Sequence, residues 1–368
     1  MNPPLPLSPF LSDAVDLARR QGWSRRRFLA AIGAGTATSA LPQAAAAQAK
    51  ELVFASWGGD EIKSLTQAFA KSYTAQTGTP VLFDGTGPAE GAIRAMVDSG
   101  NVAWDVCDAD GFTAIRLGQS GHLSAVDYRT VDAGRIMRPF SFSHGACGYT
   151  YSYVLAFDSE RFAARPPMTW RDFFDTRSFP GGRAVYRWMN GGFEAAMMAE
   201  GDGLTNPYPV DIGRAVARLA RLKPLLQLWE GGNQVEQMFH DKTISMACIW
   251  HTRAAALAAE SEGKIAFTWA GGILYPGCWV VPKGNPGGND AFKLIAHMQD
   301  PARQIEFAGL RGVGPANPEA TAAMPQRLRD YDPTQPGNLA QQVIADSGWW
   351  AEHFDKARTD FNDMLERN

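Results

Sequence analysis

Between Leu52 and Cys107 short apolar runs alternate with amphipathic ones, and that order leaves few folds open. Leu52-Val53-Phe54-Ala55 reads as a buried strand, closed by Trp57-Gly58-Gly59 with Asp60 at the N-cap position of a helix. Ile62, Leu65, Phe69 and Tyr73 then recur at helical spacing as far as Gly78. Pro80 introduces a second strand, Val81-Leu82-Phe83. Gly85-Thr86-Gly87-Pro88 turns the chain into a helix with Ile93, Met96 and Val97 on one face, and a third strand follows at Asp105-Val106-Cys107. Strand, helix, strand, helix, strand implies right-handed crossovers and a parallel sheet.

The alternation resumes later in the chain. Tyr149 to Phe157 is a long β-prone run, and Thr169 caps a short helix beginning at Trp170. Arg183 to Tyr186 is strand-like, Phe193 to Ala199 helix-like, and residues 211–223 form a helix with Ile212, Val216, Leu219 and Leu222 inward. Its Arg214, Arg218 and Arg221 read as a solvated face. Strands at Ile244–Trp250 and Cys278–Val281 follow, then a terminal helix bearing Trp350, Phe354, Phe361 and Leu365. No Pro/Ser-rich linker separates the two α/β halves, so the chain is expected to cross between them more than once. Ligands in such folds sit outside the carboxyl ends of strands, which puts Trp57, Asp108, Asp110 and Phe112 beside one crevice.

The segment before this pattern reads as an address. Ser24-Arg25-Arg26-Arg27-Phe28-Leu29 carries the twin-arginine export pattern, an apolar run follows to Leu41, and Ala47-Gln48-Ala49 offers the small residues of a cleavage site. The run is shorter than the ~20 residues a membrane-crossing helix needs. Cleavage after Ala49 removes five arginines and two aspartates from totals of 35 basic and 38 acidic residues, leaving an acidic mature chain. That balance argues against nucleic-acid binding and is compatible with a cationic solute. Cys107, Cys147, Cys248 and Cys278 all lie in apolar, strand-like runs; they can be buried thiols or can form bridges in three connectivities.

Catalytic and metal motifs are weak. The glycines at 85, 87 and 91 miss dinucleotide-binding spacing by one residue, and Pro88 removes a backbone donor. No GxSxG elbow, HExxH, CxxC or phosphate-loop pattern occurs. Tyr149, Tyr151 and Tyr153 share one strand face, a pattern that suits packing at a domain joint better than ferric-iron ligation. Trp57 and Trp250 each end a strand. Two such walls can sandwich an aliphatic chain or hold an ammonium by cation–π attraction, and Gly58-Gly59 lets a ligand approach the backbone.

The order and spacing of several fragments resemble the periplasmic spermidine/putrescine-binding proteins of ABC importers over residues 51–366. The fragments are Ser56-Trp57-Gly58-Gly59, Trp104-Asp105-Val106, Met168 to Phe174, Phe179-Pro180-Gly181-Gly182, Met246 to Trp250 and Gly314 to Ala320. The resemblance implies a type II-like periplasmic binding fold: two α/β lobes, each a mainly parallel sheet flanked by helices, closing on a ligand about a hinge. Residues 50–155 with about 276–310 are expected to form lobe 1 and 156–275 lobe 2, with 311–368 a C-terminal helical segment of unassigned lobe. The family's pocket aromatics fall on Trp57, Phe112, Trp250 and Tyr275, and a polar position on Asp110.

Two departures bear on the solute. Where polyamine binders place paired carboxylates, the chain reads Tyr186-Arg187-Trp188-Met189-Asn190, and Trp250 is followed by His251-Thr252-Arg253 instead of an aspartate. A buried ammonium needs a counter-charge, whereas an arginine favours a carboxylate or phosphonate. The expected ligand contacts are Trp57, Gly58, Asp110, Phe112, Arg187, Trp188, Trp250, Arg253 and Tyr275, with no catalytic residue, metal or cofactor. The expected role is a monomeric periplasmic solute carrier delivering to an inner-membrane ABC permease. Its solute is a polyamine or related small amine; the alternatives are a γ-aminobutyrate-like ω-amino acid or an aminophosphonate. An exported enzyme and a ligand-presenting sensor are the rival classes.

Overall fold

The computed structural model describes residues 51–201 and 204–367. The export pattern and cleavage site lie outside these residues. Strand β1 (Leu52–Ala55) leads into helix α1 (Asp60–Leu65), which continues through a π turn at Thr66–Ala70 to Thr77. Gly59, with no side chain to offer, takes the N-cap position expected for Asp60, whose carboxylate instead pairs with Lys63. Then come β2 (Val81–Asp84), α2 (Glu90–Ser99), β3 (Val106–Asp110) and α3 (Gly111–Gln119). Strands β1, β2 and β3 pair in parallel with β1 central, as the alternation requires.

Two strands are far longer than the rest: β4 (Gly145–Asp158) has 14 residues. After β5 (Arg183–Tyr186), α4 (Gly192–Met198), α5 (Ile212–Ala220), β6 (Leu226–Trp229), α6 (Gly232–His240), β7 (Met246–Trp250) and α7 (His251–Glu260) comes β8 (Ile265–Val280), with 16. The sequence reading recovered only the last three residues of β8, Cys278–Val280, because Gly271, Gly272 and Pro276 read as breakers. Helices α8 (Asp290–Met298) and α9 (Pro301–Arg311), strand β9 (Gln342–Ile344) and helix α10 (Ser347–Glu366) complete the chain.

One sheet runs β2-β1-β3-β8-β4-β7-β5-β6. Its ends are parallel triplets and its middle is the antiparallel pair β8–β4, which also pairs antiparallel with β3 on one side and β7 on the other. The long strands therefore belong to both halves. Cys147 and Cys278 sit in one hydrophobic core with Phe54, Leu65 and Trp279, whereas Tyr153 and Ile273 sit in a second with Phe173, Phe193 and Trp229. The two cores are those of two α/β lobes that share the long strands. Register slips in the β4–β8 ladder between Cys147 and Tyr149 and again between Tyr153 and Leu155, bracketing the passage from one core to the other.

The C-terminal segment also serves both halves. Gly314–Pro315 pairs with β4 at Thr150 and Tyr149, and β9 pairs with β8 at Gly272–Leu274. Trp349, Trp350 and Phe361 of α10 lie in the second core, while Phe354 stacks on Phe112 at the start of α3. All four cysteines are buried and unbridged, each on a strand. No described helix is long and apolar enough to cross a membrane.

Candidate functional site

Three parallel strands of the second core end on aromatic residues: Tyr186 on β5, Trp229 on β6 and Trp250 on β7. Their rings are in mutual contact, with centroids 4.6 Å apart for Tyr186–Trp229, 4.8 Å for Trp229–Trp250 and 5.4 Å for Tyr186–Trp250. Tyr153 of β4 closes the cluster. Among these Trp229 is fully buried, Tyr186 and Trp250 only partly, and the Trp250 Nε1 has no partner. The cluster presents an apolar wall.

Arg187 follows Tyr186, and its Nε lies 4.0 Å from Glu230, which follows Trp229. Arg253, on the first turn of α7, reaches Glu236 at 3.3 Å and passes so close to Gly232 that a Cβ there would meet its Nε. Trp188 beside Arg187 is 40% exposed. Helices α6 and α7 start at Gly231 and Trp250 without a side-chain cap, as do α1 at Gly59 and α3 at Asp110. This side thus carries two arginines, each with a glutamate beside it, next to the amino ends of α6 and α7.

The facing side, from the first core, is acidic. Asp110, the last residue of β3, accepts a 2.6 Å bond from the Tyr151 hydroxyl. Burial pushes its carboxyl up to about 6, against the lowering effect of that bond. Two residues back, both oxygens of buried Asp108 receive the Tyr149 hydroxyl at 3.2 Å. Glu61 of α1, also buried, accepts the Trp57 backbone N–H at 3.3 Å. Burial raises both acids, and for Asp108 the neighbouring charges of Glu61 and Asp110 push further in the same direction. The stripe of Tyr149, Tyr151 and Tyr153 thus runs along β4 from these carboxyls to the aromatic wall.

Trp57 is 60% exposed and lies over the Gly85–Gly87 turn. A Cβ on Gly87 would sit 3.1 Å from its ring, and one on Gly58, at φ +84°, would meet the Gly85 carbonyl at 2.9 Å. Both glycines are thus required by close approach as well as by turn geometry.

Of the residues expected at the site, Asp110, Arg187, Trp250 and Arg253 stand at strand or helix ends with Trp57 and Gly58. Phe112 and Tyr275 lie beside the same elements but are buried. Phe112 is turned into the core, stacked on Phe354 at 5.2 Å and tilted against Trp350. Tyr275 is buried; its ring stacks on Tyr151 at 5.7 Å and its hydroxyl donates to Glu194 of α4. Glu194 also receives Tyr208 at 2.6 Å and Trp350 Nε1 at 2.7 Å, so Tyr275 belongs to a network tying α4, β8 and α10 together. His251 is likewise internal: its Nδ1 accepts the Ser152 N–H at 3.0 Å and its Nε2 donates to the Gly312 carbonyl at 2.8 Å. Sequence reasoning missed Glu61, Tyr186, Trp229 and Glu230. The pattern that points to Tyr186, Trp229 and Glu230 is an aromatic residue followed by a charged or polar one at the ends of β5, β6 and β7; Glu61, inside α1, carries no such signal.

Residues 68–330 match the profile of the bacterial extracellular solute-binding proteins. The γ-aminobutyric acid-binding protein of Pseudomonas aeruginosa is 32% identical over 335 residues, covering 89% of this chain and 94% of that protein. A solved GABA receptor superposes with a TM-score of 0.80 at 31% identity, covering 87% of this chain and 98% of that one. The spermidine/putrescine-binding protein of Streptococcus pneumoniae superposes with a TM-score of 0.67, covering 86% of this chain and 100% of that one. At 14% identity that likeness is one of fold alone.

Proposed function

The chain belongs to the bacterial extracellular solute-binding protein family, the periplasmic solute-capturing component of an ABC importer, and on that premise we propose that it carries a γ-aminobutyrate-like ω-amino acid. One observation carries this reading: Asp110, Asp108 and Glu61 gather on the first-core side of the cleft, whereas Arg187 and Arg253 stand on the second-core side. The Asp110 side suits an ammonium, while the guanidinium groups of Arg187 and Arg253 suit a carboxylate. Trp57 and the Tyr186–Trp229–Trp250 wall would flank the methylene chain between them. Arg253, Trp188 and Gly58 line the approach. The relatives that bind γ-aminobutyrate support the reading independently of the geometry.

A diamine is the competing solute, since Glu230 and Glu236 beside the two arginines could supply a second counter-charge. A thermal-shift screen of residues 50–368, stripped of copurified ligand by unfolding and refolding, separates the two. Stabilisation by γ-aminobutyrate and its homologues, without putrescine or spermidine, supports the amino-acid reading. Stabilisation by di- and polyamines alone overturns it.

Capture works by closure. A ligand bridging both lobes favours the closed form by its differential affinity for it. In this reading the hinge lies where β4 and β8 pass between cores, with residues 50–155 and about 276–310 as one lobe, 156–275 as the other, and contacts of 311–368 to both. Export by the twin-arginine route with cleavage after Ala49 gives a mature, monomeric chain beginning at Lys50. N-terminal sequencing and light scattering of the periplasmic protein test this.

A further inference from the structure

Three of the four cysteines lie on neighbouring strands of the first core: Cys107 on β3, Cys278 on β8 and Cys147 on β4. The sequence leaves their pairing open, but the register of the sheet does not. Cys147 and Cys278 stand directly opposite each other in the antiparallel β4–β8 ladder. Residues so placed point to the same face of the sheet, with Cα atoms about 4.5–5.5 Å apart, inside the about 4.4–6.8 Å that a disulfide spans. Cys107 stands opposite Val280, while Cys278 has Ala109 as its partner on that side. Cys107 and Cys278 are therefore diagonal neighbours at about 7–8 Å, too far apart to bridge without moving the backbone. Cys248 is opposite Leu155 in the second core. One pair of the four is thus in bonding register.

We infer that Cys147 and Cys278 are an oxidation site: in the oxidising compartment where this family works they join as a cross-strand disulfide, while Cys107 and Cys248 stay thiols. The inference is independent of which solute is carried. Two S–H bonds are lost and one S–S bond forms; the two electrons and two protons pass to a disulfide oxidant, which leaves as two thiols. Both sulfurs are buried in the closed ladder, where a thiolate is disfavoured, so exchange takes place while the strands are apart during folding. Once the ladder has closed, the same burial shields the bond from reductants. Bridging gives up one weak contact, the 3.1 Å bond from the Cys147 thiol to the Tyr149 carbonyl. In return the bond closes a loop over residues 148–277, which carries β5, β6, β7 and helices α4–α7, and so restricts the unfolded chain. It lies before the first register slip, so the stretch between the two slips stays free to move.

Thiol mapping tests this. The protein is refolded in mixed reduced and oxidised glutathione, then unfolded without reductant and labelled with a maleimide. Mass spectrometry should find label on Cys107 and Cys248 alone, and a linked peptide pair carrying Cys147 and Cys278. In Cys147→Ala and in Cys278→Ala, all three remaining cysteines should take label. The thermal midpoint of wild type refolded with the oxidant should exceed that of wild type refolded in reductant by several degrees, and this difference should vanish in Cys147→Ala. Label on all four cysteines, or a bond to Cys107 or Cys248, overturns the inference. A mapped Cys147–Cys278 bond without a higher midpoint upholds the site and overturns its stabilising role. A variant that fails to fold leaves the mapping in wild type decisive.

Discussion

The Tyr151 hydroxyl lies 2.6 Å from Asp110 Oδ1, joining the end of a first-core strand to the middle of a strand that belongs to both cores. The bond is backed from behind. Tyr151 stacks on Tyr275, whose hydroxyl is held by Glu194 together with Tyr208 and Trp350. The position of Asp110 is therefore set by a chain of contacts that reaches the C-terminal helix. Removing the donor with Tyr151→Phe leaves this packing in place but deprives Asp110 of the interaction that favours its ionised form. Affinity for γ-aminobutyrate should fall by about 1–2 kcal/mol with an unchanged far-UV spectrum. Unaltered affinity by calorimetry would remove Asp110 from the amine end.

The pH dependence of binding follows from the same carboxyl. Its folded value of about 6 stands above the ordinary 3.8, because burial penalises the charge. A raised carboxyl value means that the folded chain holds a proton the unfolded chain has lost. Asp110 therefore contributes stability at low pH that disappears as pH rises from 3.8 through 6. Ammonium binding runs the other way, since it needs the ionised form. Affinity should be flat above pH 7 and fall toward about tenfold per unit well below 6, with Asp110→Asn weaker at neutral pH, nearly level, and met by wild type at low pH.

Trp57 tests the aromatic floor separately from the fold. With most of its ring in solvent, Trp57→Ala should leave the unliganded thermal midpoint almost unchanged. The affinity lost should be about 1–2 kcal/mol if the ring packs on the solute. A drop in midpoint with normal affinity would make it a structural residue.

The first three parallel strands and their helices were legible because buried strands and amphipathic helices have distinct periods, and Gly78 marked its helix end where expected. The two crossing strands were legible only in part. Residues 265–277 include Gly271, Gly272 and Pro276, which read as breakers, yet β8 continues through them because β4 and β9 supply partners on either side. Side-chain direction was the other limit. Phe112 and Tyr275 sit where a crevice was expected, but α10, some 240 residues further on from Phe112, provides the surface that draws Phe112 inward. No local pattern encodes so distant a partner.

Arg187 should decide between solute classes. Its partner Glu230 is 4.0 Å away and largely exposed, so the pair is loose and the guanidinium remains available. Arg187→Ala should weaken γ-aminobutyrate by about 2–3 kcal/mol while sparing or improving putrescine, since an unpaired Glu230 then faces the cleft. Arg187→Lys should recover only part of the loss, because a lysine cannot offer two parallel donors. Equal weakening of both solutes would place Arg187 in the scaffold.

His251 makes the fold sensitive to acid by a route separate from the cleft carboxyls. Its ring joins the Ser152 amide of β4 to the Gly312 carbonyl, so Nδ1 must stay unprotonated to accept while Nε2 donates. Complete burial lowers its value to about 4 from 6.5, outweighing both backbone bonds. The folded chain thus resists a proton that the unfolded chain takes up readily below 6.5. Stability from this group is complete above that value and is lost as pH falls through 4, a change of roughly 3 kcal/mol. The acids at the cleft shift oppositely over an overlapping range, so total stability is a poor readout. The difference between wild type and His251→Gln isolates the effect: denaturant melts should show wild type the more stable at pH 7 and its advantage shrinking by about 3 kcal/mol by pH 4. Parallel curves would mean that the ring is already protonated, or that the fold opens to admit the proton without cost.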